Sequence, residues 1–210
     1  MRVFLAVSAA LFLFACNWVV TKAPLFSTAD GAHAPRLRNG VWAFPSPDGC
    51  VFDQRKPITV WPDCVDVLIV RDGSWMALDR KDAKTSWTAT SVVLAAGQPR
   101  ILQMSQDDSS GAGSAPAGYT YYGLKPTRTD RQGRIIAYTA WPVLCGPPAP
   151  QTAETQKRSG TLSPFPGMTL DADDDDCTTG SRDAVRNAAD ASLMWPVAGF
   201  QPHWVRDGYR

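Results

Sequence analysis

Residues 65–78 read VDVLIVRDGSWMAL, and this stretch decides the fold class. A run rich in β-branched residues, 65–70, is followed by Asp72-Gly73 and then by a second apolar run, 74–78. Because Asp and Gly both tolerate positive φ, an Asp-Gly pair between two apolar runs predicts a tight antiparallel hairpin. We therefore expect two strands joined by a short turn.

Two further hairpins are predicted on the same grounds, from residues 87–104 and from residues 119–143. Three hairpins in succession are typical of an antiparallel sheet whose neighbouring strands follow one another in the chain. The predicted fold class is mainly β: an antiparallel β-meander or partial barrel. The domain prediction is a single β-rich domain over residues 37–210.

One α-helix is predicted near the C-terminus, at about residues 181–194. Small and apolar side chains recur there at helical spacing: Val185, Ala188, Ala189, Ser192 and Trp195. Thr179 or Ser181 can cap its start, and Pro196 ends it. The small residues of this stripe favour close packing of the helix on the sheet.

An apolar–Arg–Asx–Gly motif occurs three times, at residues 37–40, 70–73 and 205–208. The unequal spacing of the three copies excludes a repeat architecture, and turn formation accounts for each copy.

Composition and motifs exclude several function classes. With 21 Lys and Arg against 20 Asp and Glu, the net charge is +1, so no basic field for nucleic acid is present. The sequence has no GxSxG, phosphate loop, dinucleotide fingerprint or HExxH. His33 lies in the N-terminal segment and His203 in an expected C-terminal tail, and neither is predicted to act as a base. No cofactor is predicted.

The N-terminus has the pattern of an export signal. Met1-Arg2 precedes the apolar run 3–15, and Leu13-Phe14-Ala15-Cys16 resembles the lipobox of bacterial lipoproteins. The resemblance implies that residues 1–15 are a signal peptide and that Cys16 carries fatty acids such as palmitate. The lipid on Cys16 would hold the protein to a membrane. Asn17 favours the outer membrane, facing the periplasm; simple secretion or an uncleaved anchor is the alternative.

Residues 16–36 are predicted to be a lipidated tether, because Pro24, Gly31 and Pro35 interrupt any regular element. Beyond the tether, eight Trp and five Tyr either fill a β core or line a ligand pocket, and core filling is favoured.

Four further cysteines remain, Cys50, Cys64, Cys145 and Cys177. An even number in an exported protein predicts two disulfides, for which three pairings exist. Short loop closure favours Cys50–Cys64 with Cys145–Cys177. No metal site is predicted at these cysteines, because the sequence contains no CxxC motif.

An acidic run supplies a weak calcium candidate. Asp171, Asp173 and Asp175 match the first three ligand positions of a calcium loop, but Asp176 and Arg182 stand where Gly and Glu are required. A solvated acidic loop before the helix is the favoured alternative.

Several segments together resemble an uncharacterised family of alphaproteobacterial lipoproteins. They are residues 22–26, 37–42, 61–64, 94–100 and 141–148, and the helix after Cys177. The resemblance implies a lipoprotein and brings no activity with it.

The predicted function is therefore that of an envelope lipoprotein, and a non-catalytic role is favoured over an enzyme. The protein is expected to bind an envelope protein or a cell-wall partner, or to have a structural role at the outer membrane. A barrel for a small apolar ligand, or a periplasmic hydrolase, is the alternative. The sequence does not determine the partner, the ligand or the oligomeric state.

Overall fold

A computed structural model describes residues 17–46, 50–79, 86–106, 118–148, 163–171, 176–195 and 200–208. Cys16, the segment 1–15, Asp173 and Asp175 lie outside the described residues. The strands are β1 (Val20–Thr21), β2 (Gly40–Pro45), β3 (Val65–Arg71), β4 (Ser74–Asp79), β5 (Ser86–Thr90), β6 (Val92–Ala95), β7 (Arg100–Gln106), β8 (Gly118–Thr129), β9 (Ile135–Pro142), β10 (Thr169–Leu170), β11 (Cys177–Thr178) and β12 (His203–Arg206). The helices are α1 (Arg182–Ser192) and two short 3-10 helices, Thr28–Gly31 and Ile58–Val60.

The main sheet consists of two antiparallel meanders, β2–β5 and β6–β9. On one side β12 joins them, because it lies between β2 and β9. On the other side β5 and β6 follow one another with Ser91 alone between them, and the Ser91 carbonyl accepts from the Ser105 amide of β7 at 3.0 Å. Together β5 and β6 form one bent strand, whose first part pairs with β4 and whose second part pairs with β7. The sheet is therefore a nearly closed barrel. The predicted fold class is confirmed.

The hairpin that decided the fold class is present. Val70 pairs with Trp75, and the turn residues Asp72 and Gly73 have φ of 50° and 83°. Positive φ at both central residues matches the right-handed twist of the two strands. The hairpin predicted from residues 87–104 also forms, but its first strand is interrupted at Ser91.

Large side chains fill the barrel interior. The buried members are Leu37, Trp42, Leu68, Val70, Trp75, Leu102, Leu124, Ile135, Tyr138 and Ala140. The rings of Trp42 and Tyr138 lie 5.6 Å apart, and the Trp42 indole donates to the Arg38 carbonyl at 2.9 Å. These aromatic residues therefore form a packed core.

Helix α1 covers the outer face of β7, β8 and β9. It begins at Arg182, and Ser181 caps it by accepting from the Ala184 amide at 3.2 Å. Its buried face holds four residues of the predicted stripe, Val185, Ala188, Ala189 and Ser192, together with Ala184. The Trp141 indole of β9 donates to the Ala189 carbonyl at 2.7 Å and fixes the helix to the sheet.

Both predicted disulfides are present, Cys50–Cys64 and Cys145–Cys177. The first closes a segment whose Ile58 and Trp61 cover the outer face of β2 and β3. The second joins the end of the β9 segment to β11, in the layer that contains α1.

The prediction of a lipidated tether over residues 16–36 is not matched by residues 17–36, which pack on the folded domain. Val19 is fully buried and its amide donates to the Val143 carbonyl at 3.0 Å, β1 pairs with β8, and Phe26 is buried. The prolines and glycines of this stretch shape turns, while its apolar residues pack on the sheet. The folded domain therefore includes residues 17–36.

The prediction of a C-terminal tail around His203 is also wrong. His203 belongs to β12 and pairs with Ala43 on one side and Ala137 on the other. In the part of the chain that is described, no helix has both the length and the apolar character needed to cross a membrane.

Candidate functional site

A cleft of about 720 Å³ opens at one end of the barrel. The β3–β4 turn, the β8–β9 turn and an N-terminal segment meet there. We call this end the barrel mouth and residues 25–37 the strap, because they run from β7 past β6 and across the mouth to β9.

The floor of the cleft is part of the apolar core. Leu37, Val70 and Trp75 are buried, and Val92 and Leu94 are half-buried. Trp75 and Val70 face each other across the β3–β4 hairpin, which places both on the interior face. The rim is polar: Thr28, Arg36, Asn39, Asp72, Gln132 and Arg134.

The buried side chain of Gln103 on β7 holds the start of the strap. Its Oε1 accepts from the amides of Leu25 and Phe26, each at 2.9 Å, and its Nε2 donates to the Phe26 carbonyl at 2.9 Å. One side chain thus satisfies three backbone groups that would otherwise be buried without partners.

The middle of the strap is a short 3-10 helix on the edge of β6. The Asp30 carboxylate accepts from the amide and hydroxyl of Ser27 at 2.8 and 2.9 Å, and Arg182 forms an ion pair with it at 2.8 Å. The Ser27 amide, then the Ser27 hydroxyl and the positive charge of Arg182 hold the pKa of Asp30 below its ordinary value. At Gly31 a Cβ would lie 2.7 Å from the Leu94 carbonyl oxygen, so close docking requires glycine.

The end of the strap is fixed by Ile135 at the start of β9. The Ile135 amide donates to the Arg36 carbonyl at 2.8 Å, and the Arg38 amide donates to the Ile135 carbonyl at 3.0 Å. Backbone hydrogen bonds therefore fix the end of the strap to β9, and the Arg36 side chain is exposed on the rim.

The three apolar–Arg–Asx–Gly motifs meet at the barrel mouth. Asn39 donates to the Asp72 carboxylate at 2.9 Å and accepts from the Asp72 amide at 3.2 Å. Arg38 forms an ion pair with Asp207 at 2.8 Å and lies 3.6 Å above the Trp204 ring. The motifs therefore have a shared structural role, because their polar residues connect three chain segments around the cleft.

Arg134, on the opposite side of the rim, pairs with Asp130 at 2.7 Å. Desolvation alone would raise the pKa of Asp130, but hydrogen bonds from the side chain and amide of Arg134 and from the Gln132 amide lower it overall. The charge of Arg134 is thus balanced locally by Asp130, whereas Arg36 lines the cleft as an exposed residue.

The rim does not supply the groups of a paired-carboxylate hydrolase. Among the described residues that line the cleft, Asp72 is the one carboxylate, and Asn39 donates to it. Glycosidases of that class require two carboxyl groups that flank the bond to be cleaved.

His203 and the described calcium candidate, Asp171, lie away from the cleft. His203 contacts Gln54 at 3.0 Å and Phe52, and burial followed by the charge of Arg128 lowers its pKa. Asp171 lies next to β10, while the other two calcium candidates are not described. Over the described ranges, no group of three metal-ligating side chains occurs.

Neither a protein-family model, nor a curated protein, nor a solved structure matches the chain. The functional argument therefore depends on the geometry of the cleft and on the chemistry of its residues.

Proposed function

We propose that this chain is a non-catalytic binding protein of the bacterial cell envelope, held to a membrane by lipid on Cys16, and that it binds a small apolar ligand at the barrel mouth. The observation that carries the ligand proposal is the cleft, whose volume of about 720 Å³ falls within the usual range for small-molecule sites. Its buried apolar floor and polar rim are the combination that such sites use.

The ligand lies in the mouth of the barrel and not deep inside it, since Trp42 and Tyr138 fill the interior. Its apolar part packs on Trp75 and Leu94, and a polar end faces the exposed Arg36. Burial of apolar surface against the floor supplies the affinity, at about 25 cal/mol per Å² before the cost of association.

A fluorescence titration with 8-anilinonaphthalene-1-sulfonate and with decanoate tests this proposal. We expect saturable binding of both probes, with decanoate displacing the dye and shifting part of the tryptophan emission. Trp75→Phe should remove that shift, because Trp75 lines the floor.

A matched pair of strap variants assigns the signal to the cleft. Ala32 lines the cleft, whereas its neighbour His33 does not, and both are exposed. Ala32→Trp should weaken decanoate binding at least tenfold by filling the cleft, and His33→Trp should leave it within twofold. Equal affinity in both variants, with unchanged melting temperatures, would place the ligand elsewhere and refute the proposal.

The membrane anchorage has its own test, which is the intact mass of protein extracted from membranes. We expect residues 16–210 plus a diacyl or triacyl adduct, with four alkylated thiols appearing only after reduction. A mass without the adduct would refute the lipid anchor and leave the ligand proposal standing.

A further inference from the structure

The chain that directly follows Cys16 is fixed in the fold. Asn17 is 5% exposed, its carbonyl accepts from the Cys145 amide at 2.9 Å, and its Nδ2 donates to the Gly146 carbonyl at 3.3 Å. The Trp18 amide donates to the Asp176 carboxylate at 3.0 Å. No linker residue therefore separates the proposed acylation site from the packed domain.

The Cys145–Cys177 disulfide holds this segment from both sides. Trp18 forms an antiparallel bridge with Leu144, and Val19 forms a parallel bridge with Cys177. The disulfide joins the two segments of the chain that flank residues 18–19. Residues 18–19 therefore cannot move away from the domain without breaking the hydrogen bonds on both sides.

An exposed apolar surface lies next to this segment, at the end of α1. Leu193 is 51% exposed and Met194 is 78% exposed, and Trp195 follows them half-buried. We call residues 193–195 the apolar tip. The preceding residue, Ser192, accepts from the amide of Leu144, the bridge partner of Trp18, at 2.9 Å. The tip is thus linked to Trp18 through Ser192 and Leu144.

We propose that the apolar tip contacts the bilayer that holds the acyl chains of Cys16, so that the domain lies against the membrane in one orientation. This inference rests on the proposed lipid anchor. The anchor places the membrane surface beside Asn17, and the exposed Leu193 and Met194 are apolar side chains of the kind that enters the interfacial region. Because the anchor keeps the tip at high effective concentration near the lipid, a contact of two or three side chains suffices.

The bilayer is the favoured occupant because the anchor itself brings it to this surface. Val51 and Val60 are also exposed, at 90% and 61%, but they belong to the segment closed by Cys50–Cys64, which covers a different face of the barrel. They provide a matched control with similar exposure and chemistry.

Photocrosslinking of the full lipidated protein tests the inference. The protein is reconstituted in vesicles of phosphatidylethanolamine and phosphatidylglycerol that contain a phospholipid with a diazirine on its acyl chain. After irradiation, mass spectrometry should find lipid adducts on residues 193–195 at least tenfold above those on Val51 and Val60. The double variant Leu193→Ser/Met194→Ser should lower that labelling at least fivefold, and Val51→Ser/Val60→Ser should not change it.

A linker variant separates orientation from mere anchorage. Twelve Gly and Ser residues inserted between Cys16 and Asn17 keep the lipid but release the domain, so labelling of the tip should fall to the level of the control valines. Equal labelling of tip and control in the wild-type protein, or equal labelling of the tip with and without the linker, would overturn the inference. An acylated intact mass in those cases shows that the anchor stands although the contact fails.

Discussion

Replacing Gln103 by Leu should detach the strap from the barrel. The Gln103 side chain is 3% exposed and bonds three backbone groups, the amides of Leu25 and Phe26 and the carbonyl of Phe26. Leu has nearly the same size and keeps the apolar contacts of the side chain. The variant therefore removes the hydrogen bonds while it leaves little cavity.

The size of the effect follows from those three groups. A buried backbone group without a partner costs about 1–3 kcal/mol, so three of them cost at least about 3 kcal/mol if the strap stays in place. The alternative is release of the strap, which exposes Phe26 and costs about 1.5–3 kcal/mol for that side chain alone. Either outcome removes a large part of the 5–15 kcal/mol that stabilises a typical domain.

Urea unfolding and hydrogen exchange together measure the effect. We expect Gln103→Leu to lower the free energy of unfolding by about 3 kcal/mol and to raise exchange selectively in residues 25–37. Gln132→Leu is the control, because Gln132 is exposed in the β8–β9 turn and should change stability by less than about 0.5 kcal/mol.

Gln103→Glu adds a pH test of the same reasoning. A protonated carboxyl group both accepts and donates, as the amide does, but a carboxylate cannot donate to the Phe26 carbonyl. The loss of stability relative to wild type should therefore shrink as the pH is lowered from 7 to about 4, since burial raises a carboxyl pKa. A loss below about 1 kcal/mol in Gln103→Leu, without faster exchange in the strap, would refute the assigned role of Gln103.

Three further outcomes are expected. Gly31→Ala puts a methyl group 2.7 Å from the Leu94 carbonyl oxygen and should lower stability by about 1–3 kcal/mol in urea unfolding, while Gly180→Ala, with open space around it, should stay within about 0.5 kcal/mol. Because the pKa of Asp30 is lower in the folded than in the unfolded state, its contribution is present at neutral pH and is lost as the pH falls through the folded-state pKa. Asp30→Asn should thus destabilise at pH 7 and approach wild type as the pH falls below that pKa. Replacing Cys145 and Cys177 by Ala unlinks a separation of 32 residues and should cost about 3.7 kcal/mol by calorimetry, a larger loss than the 3 kcal/mol or so expected for the shorter disulfide.

Features with a local cause were predictable from the sequence. The Asp72-Gly73 turn is specified by the φ preferences of its own two residues, and α1 by a stripe of small residues behind a capping serine. The disulfide pairing followed from loop length. In each case the deciding interactions join residues that are close in the chain.

The strap and the cleft depend on contacts between distant residues, and the sequence did not reveal them. Pro24 and Gly31 are as common in linkers as in a strap, and what distinguishes the strap is Gln103, some 77 positions away from Phe26. The short strand around His203 pairs with Ala43, for which no local pattern exists. The apolar–Arg–Asx–Gly motifs were a visible signal, but only the fold shows that Asn39 and Asp72 bond to each other.

The place of β12 in the sheet makes completion of the barrel depend on late residues of the chain. Each four-stranded meander pairs strands that are neighbours in sequence, so both can form before the C-terminal residues are available. The gap between β2 and β9 stays open until residues 203–206 arrive and pair with both. A chain interrupted before that point presents two unpaired strand edges, which are templates for aggregation and targets for proteases. Completion of the sheet thus requires the chain as far as residue 206.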